Sequence, residues 1–207
     1  MIRVITVSRE FGSGGAELAR LLGERLHWSV VDDDLVGEIA TNAKVSVSSV
    51  RNCDESVDSW TRRLARSLWL GGFENVLSRA EDTPFDSDQM AEMWNQVILR
   101  AADAGNCVVV GRGGQCLLGK RTDAFHVQVY APMSERVKRV RERMPQCKDP
   151  EAAAFARDEC RSAYVRRHFH HDWTNRHLYH LTICSSIGLE RAADTILCAA
   201  GLLRRFE

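Results

Sequence analysis

Apolar and polar positions follow two different periods along the chain, and the changes of period mark its elements. Val4, Ile5 and Val7 form a β-branched run that predicts a strand over Ile2 to Val7. Gly12-Ser13-Gly14-Gly15 breaks the run, and Leu18, Leu21 and Leu22 then recur at helical spacing, predicting a helix from about Gly15 to Leu26. Trp28 to Val31 reads as a second strand, ending in the acidic triplet Asp32, Asp33 and Asp34. From Leu35 to Ala104 no strand pattern stands out. Met90, Met93, Trp94, Val97, Ile98 and Ala101 instead share a helix face behind the acidic residues Asp86 and Asp88, and Gly105 stops the run. Strand signals resume at Cys107 to Val110, leading into Gly111-Arg112-Gly113-Gly114, and at Phe125 to Tyr130. Helices are predicted over Arg136 to Arg143 and Glu151 to Phe169, joined through Pro145 to Pro150. A last strand at Leu181 to Cys184 precedes Gly188 and a closing helix to Leu203.

Strands alternating with helices predict an α/β fold with a mostly parallel sheet and a ligand at the carboxyl ends of its strands. A chain of 207 residues fits one compact domain with a small insertion. Lys plus Arg and Asp plus Glu balance at 28 each, so composition supplies no global pull toward nucleic acid or an anionic membrane, and any anion site must be local. The cations are nevertheless uneven: Arg136, Arg139, Arg143, Arg157 and Arg161 belong to a crowd in the last third. Seven cysteines without a CxxC pair predict reduced thiols and a cytoplasmic protein. Arg3 interrupts the first apolar stretch, so no signal peptide is expected, and no run approaches the roughly 18 apolar residues of a membrane span.

A glycine turn between a strand and a helix exposes consecutive backbone N–H groups where the helix dipole also favours an anion. Gly12, Ser13, Gly14, Gly15 and Ala16 meet that requirement, although such turns also occur as plain packing devices. The segments SREFGSGG, VVDDDLV, VVVGRGG, FHVQVYAP with the following RVKRVRER, RDECRSAYVRRHF and HLTICSSIGLE, taken in order, resemble the cytidylate kinase-like family, relatives of the P-loop nucleoside monophosphate kinases. The resemblance runs over nearly the whole chain and is loosest over 35–104. It implies a P-loop NTPase-like three-layer α/β/α fold with a five-stranded parallel sheet. On that pattern the core is 1–34 with 105–207, a helical monophosphate-binding insertion spans about 35–104, and a lid spans about 143–160.

The resemblance also implies roles, carried over position by position. In the parent kinases the loop reads glycine, four residues, glycine, lysine; here Arg9 stands in the first glycine's place and Gly15 in the lysine's, with Ala16 and Glu17 where small or hydroxyl residues would follow. The backbone amides of Gly12 to Ala16 would hold the phosphates of ATP, which brings Mg2+. Asp32 would line the acceptor site, or else cap the following helix. Arg112, flanked by glycines at a strand's carboxyl end, would hold the acceptor phosphate with its forked donors. The aspartate that follows it in the parent family is Gly113 here. Arg157 and Arg161, and secondarily Arg136 and Arg139, would close over the transferring group as lid cations, unless they are the wet faces of helices.

The missing lysine leaves a charge to be supplied. Arg9 either supplies it from the loop entrance, aided by Arg157 and Arg161, or pairs with Glu10, Glu17 or another carboxylate and only orders the loop. On the first alternative Gly15→Lys would partly rescue Arg9→Ala. The expected activity is ATP-dependent phosphoryl transfer to a nucleoside monophosphate, with CMP or dCMP first by family resemblance. The rival readings are a nucleotide-binding regulatory module that lost the chemistry, and a small-molecule kinase with a non-nucleotide acceptor. Partners are expected to be small nucleotide substrates, not nucleic acid or membrane, with the oligomeric state open. The cluster His168, His170, His171, Asp172, His177 and His180 matches no closed zinc spacing and reads as helix-end packing and solvent. Trp60, Trp69, Phe73 and Trp94 read as core of the helical insertion.

Overall fold

The structure, a computed structural model, describes residues 1–32 and 87–203. The chain divides into two compact units, Met1–Val30 with Gly105–Glu207, and Val31–Ala104. The first is built on a five-stranded parallel sheet. Its centre is β1 (Val4–Arg9), flanked by β3 (Cys107–Val110) and β4 (Ala124–Tyr130), with β2 (Ser29–Val31) beyond β3 and β5 (Leu181–Cys184) beyond β4. Register pairs Val7 with both Val110 and Val127, and Arg9 with Val129. The chain leaves β1 through α1 for β2 on one side and leaves the adjacent β3 for β4 on the other, so the carboxyl ends of β1 and β3 form the switch point where such sheets open a crevice.

Side chains on β1 alternate between two covered faces. Ile5 and Val7 are fully buried with Leu18, Ala19 and Leu22 of α1 (Gly15–Leu26) and Ala192, Ala193, Ile196 and Leu197 of α6 (Leu189–Ala199). Thr6 and Ser8 face the other side, also buried, where Gly114 at the start of the short helix α3 (Gly114–Leu117) lies close to Thr6. Burial on both faces is why β3 reads as an unbroken apolar run instead of an alternating one. The remaining helices of this unit are α4 (Met133–Arg143) and α5 (Pro150–Phe169). In the second unit, α2 (Ser87–Ala104) buries Met93, Trp94, Val97, Ile98 and Ala101 on one stripe, the face that the helical spacing predicts.

Several boundaries move from their sequence positions. β1 runs to Arg9 and starts at Val4, because Ser8 and Arg9 pair with Gln128 and Val129 and the Glu10 N–H donates to the Val129 carbonyl at 3.0 Å. Backbone pairing extends the strand through two polar residues that hydropathy assigns to a loop. α4 starts at Met133, where Pro132 fixes the turn, and α6 stops at Ala199, ahead of Gly201 with φ 68°, instead of reaching Leu203. α3 is too short to leave a periodic signal. Asp33, Asp34 and Asp86, and Trp60, Trp69 and Phe73 read as core of the insertion, lie outside the described residues. The six described cysteines are unbridged, and burial pushes the Cys107 thiol up to about 12. No described helix is long and apolar enough to cross a membrane.

One polar contact ties β1 to β4. Thr6 Oγ1 lies 2.8 Å from Nδ1 of the buried His126, whose backbone N–H donates to Nδ1 of His180 at 2.9 Å, and the two imidazoles stack at 5.0 Å. Burial, with His180 beside it, pushes the His126 imidazole down to about 4. The unfolded chain therefore takes up a proton here below its ordinary value of 6.5 that the folded chain refuses until about 4. Stability is full above that window and falls by about 3 kcal/mol across it from this residue. The loss in unfolding free energy between pH 7 and pH 4, measured by denaturant titration, should be smaller by about that amount in His126→Gln than in wild type; equal losses would contradict the assignment.

Candidate functional site

The turn from β1 into α1 carries the site. Gly12 and Gly14 have φ of 77° and 81°, conformations that glycine adopts without steric penalty. A Cβ on Gly12 would also lie 2.9 Å from the carbonyl oxygen of Arg136 and 3.1 Å from Cγ2 of Val140, so α4 lies directly against the loop. The N-terminus of α1 is capped by Gly14, with no side chain accepting from its first turn. α5, by contrast, begins with Asp149 accepting from the Ala152 N–H at 3.0 Å and Pro150 in the first turn. Among the described residues the N–H groups of Gly14, Gly15, Ala16 and Glu17 have no protein acceptor, although Gly14 and Gly15 are buried. Ser13 is fully buried and its hydroxyl has no partner. Buried orphan donors at a helix N-terminus are what an anion site requires.

The loop's carbonyls are held away from that opening. Arg139 Nη1 donates to the Ser13 carbonyl at 2.9 Å, to the Gly12 carbonyl at 3.4 Å and to Ser185 Oγ at 2.9 Å, and the Ser185 hydroxyl itself donates to the Ser13 carbonyl. Arg136, 5% exposed, donates through Nε to the Phe11 carbonyl at 2.7 Å and pairs with Asp158 and with Glu10. The Phe11 N–H donates to Asp158 Oδ1 at 2.7 Å, and Arg161 Nη1 reaches both Asp158 Oδ1 at 3.1 Å and the Arg9 carbonyl at 3.2 Å. A trans peptide points its N–H opposite its carbonyl, so fixing the Ser13 carbonyl on Arg139 and Ser185 turns the Gly14 N–H the other way.

The proposed lid cations divide accordingly. Arg136 and Arg139 are engaged in holding the loop's outer edge. Arg161 packs over the Phe11 ring at 5.6 Å while paired with Asp158; Arg157, exposed, lies over the same ring at 5.7 Å. Asp158, Phe11 and Ser185 are the residues that sequence reading misses. An acid one position past Arg157 and three before Arg161 was the available signal for Asp158.

The second cluster lies at the end of β3. Gly111, Arg112 and Gly113 all have positive φ, 73°, 51° and 69°. For arginine that conformation costs about 1 kcal/mol or more, the kind of local strain that gathers at functional positions. Its guanidinium stands 5.8 Å from the centre of the Tyr164 ring. A Cβ on Gly113 would fall on the Phe169 ring, so no aspartate fits there unless that ring moves. Arg9 joins the two clusters: its Cβ lies 2.5 Å from where a Gly15 Cβ would stand, and its Nη1 occupies the space of a Gly111 Cβ. The expectation that Gly15→Lys would rescue Arg9→Ala is therefore corrected, because alanine keeps the Cβ against which a residue-15 side chain would collide. Asp32 follows β2 within the second unit and is half-buried.

The sequence profile of the cytidylate kinase-like family matches residues 4–187. The chain belongs to the cytidylate kinase-like family. No curated protein matches it. Among solved structures it is similar to an uncharacterized protein from Eubacterium ventriosum at 19% identity, with a TM-score of 0.68 over 97% of this chain and 99% of that one. It is similar also to a shikimate kinase from Acinetobacter baumannii in complex with shikimate, at 15% identity and a TM-score of 0.52, covering 99% and 97%. A gluconokinase from Sinorhizobium meliloti matches at 13% identity and a TM-score of 0.53, covering 96% and 91%. At these identities the likeness is one of fold, and the fold of this cytidylate kinase-like chain is that of the P-loop kinases.

Asp158, with Arg161 beside it, holds the loop entrance from α5. Asp158→Ala would leave the Arg136 guanidinium buried with only Glu10 and free the Phe11 N–H, which should cost about 3 kcal/mol in equilibrium unfolding. A loss below about 1 kcal/mol, the range of exposed pairs, would contradict this role.

Proposed function

We propose that the protein transfers the γ-phosphoryl group of Mg-ATP to a small phosphorylated acceptor. The observation that carries the reading is the N-terminus of α1, capped by Gly14 without a side-chain acceptor, whose N–H groups have no acceptor among the described residues while the loop's carbonyls are tied outward. The amides of Gly14 to Glu17 hold donor phosphates, with Gly12 and Ser13 shaping the turn. Arg112 binds the acceptor phosphate, and Asp32 lines the acceptor site within 31–104. An oxygen of the acceptor phosphate attacks the γ-phosphorus in line, ADP leaves, and no protein nucleophile takes part. Catalysis is then mostly positioning and neutralisation of developing charge. Arg157, exposed beside Phe11, and Arg161 supply part of that charge as the lid, about 143–160, closes and excludes water. Magnesium enters with ATP as substrate. Unbridged thiols fit work in the cytoplasm.

Family membership favours a nucleoside monophosphate as acceptor, with CMP or dCMP first. The Phe169 ring beside Gly113 favours a second reading, a small-molecule kinase with a non-nucleotide acceptor, because the ring fills the space where the parent family's aspartate would stand. The test incubates the full chain with Mg-ATP and CMP, dCMP, UMP, AMP, GMP, shikimate or gluconate, and follows ADP together with the phosphorylated product. ATP binding without product on any acceptor would favour the regulatory module. With the best acceptor, Arg112→Ala should weaken acceptor binding by about 1.5 to 3 kcal/mol, the worth of a charge-assisted bond, and leave ATP affinity unchanged. Equal acceptor titrations would remove Arg112 from the site.

A further inference from the structure

Two glycines far apart in sequence lie against one side chain, that of Arg9. Gly15, whose place in the loop corresponds to the parent family's lysine, can carry no Cβ because that atom would stand 2.5 Å from Cβ and 3.0 Å from Cγ of Arg9. A Cβ on Gly111 would meet Nη1 of Arg9, the movable end of the same side chain, at a position whose φ of 73° favours glycine in any case. Arg9 thus starts on the carboxyl end of β1 and runs past the first residue of α1. It ends on the turn that presents Arg112. A residue-15 side chain and the stem of Arg9 therefore compete for one volume, which in this chain the strand residue occupies while the helix start carries no side chain.

We infer that Arg9 is the cation of the donor–acceptor junction, replacing the absent lysine and reaching across from the phosphate loop to the acceptor-binding turn. This rests on the phosphoryl-transfer reading above. A lysine on α1 would serve the donor phosphates from the helix side. A side chain that runs from Gly15 to Gly111 instead carries its charge from the first residue of α1 toward the turn of Arg112, and the planar fork of a guanidinium suits phosphate oxygens. Its charge is needed most as the group leaves one oxygen for the other, so its loss should act on turnover more than on ATP affinity. The backbone of Arg9 is fixed from outside by Arg161, whose Nη1 donates to its carbonyl at 3.2 Å, which sets the direction in which the side chain leaves the strand.

The test is a mutational cycle on the full chain, read by Mg-ATP titration calorimetry, turnover and thermal unfolding. Arg9→Gly should lower turnover about 100-fold while changing ATP affinity less than about fivefold. Gly15→Lys alone should lower the unfolding temperature by about 5 °C or more and abolish ATP binding, because Arg9 blocks the new side chain. The double variant Arg9→Gly with Gly15→Lys should regain both the lost unfolding temperature and ATP binding within about tenfold of wild type. A Gly15→Lys protein as stable and as ATP-competent as wild type, or additive effects throughout, would overturn the inference. If wild type binds no Mg-ATP, the phosphoryl-transfer reading fails by itself, and recovery of the unfolding temperature in the double variant still reports whether Arg9 and residue 15 compete for one space.

Discussion

A trans peptide group cannot direct its carbonyl and its N–H to the same side, and the site depends on which side is occupied. In this protein the outer side of the β1 to α1 turn is filled with donors. Arg139 and Ser185 take the Ser13 carbonyl, Arg136 takes the Phe11 carbonyl and Arg161 takes the Arg9 carbonyl. The N–H groups that follow in the first turn of α1 are left for something other than protein. The cations that the sequence suggests as lid residues thus act at two levels: some shape the loop from behind, and only Arg157, exposed over Phe11, is held by no ion pair among the described residues.

The same arrangement shows where a chain with balanced charge places the acids around the loop. Asp158 and Glu10 neutralise Arg136, and Glu135 pairs with Arg139 through its second terminal nitrogen at 3.0 Å. Glu17 pairs with Arg143 at 2.7 Å. Each of these acids faces an arginine of α4 or α5, and the side chain of Arg9 runs between Gly15 and Gly111 beside the start of α1, where the helix dipole favours an anion. Charge at the site is local in origin, as a net charge of zero demands.

The order of elements was legible because the sheet is covered on both faces and its strands are short apolar runs, as in Cys107 to Val110. The glycine loop was legible because positive φ at Gly12 and Gly14 leaves a compositional mark. The strand's extension through Ser8 and Arg9 was not, since a backbone ladder is indifferent to side-chain polarity. Nor was the clamp: Asp158 contacts Phe11 across 147 positions of sequence, and nothing in local periodicity reports which acid in an arginine-rich helix faces inward. The exchange of glycine and cation between positions 9 and 15 was visible as a substitution pattern. Its cause, one volume shared by two side chains, became visible only with the Cβ positions.

The most direct measurement is a titration of the isotopically labelled full chain with Mg-ATP, following backbone amide resonances. The N–H groups of Gly14, Gly15, Ala16 and Glu17 should show the largest shifts, since they exchange solvent for phosphate oxygens, while the Phe11 N–H, already held by Asp158, should move little. Saturating Mg-ATP that leaves those four resonances in place and moves others instead would contradict the assignment of the donor site to the start of α1.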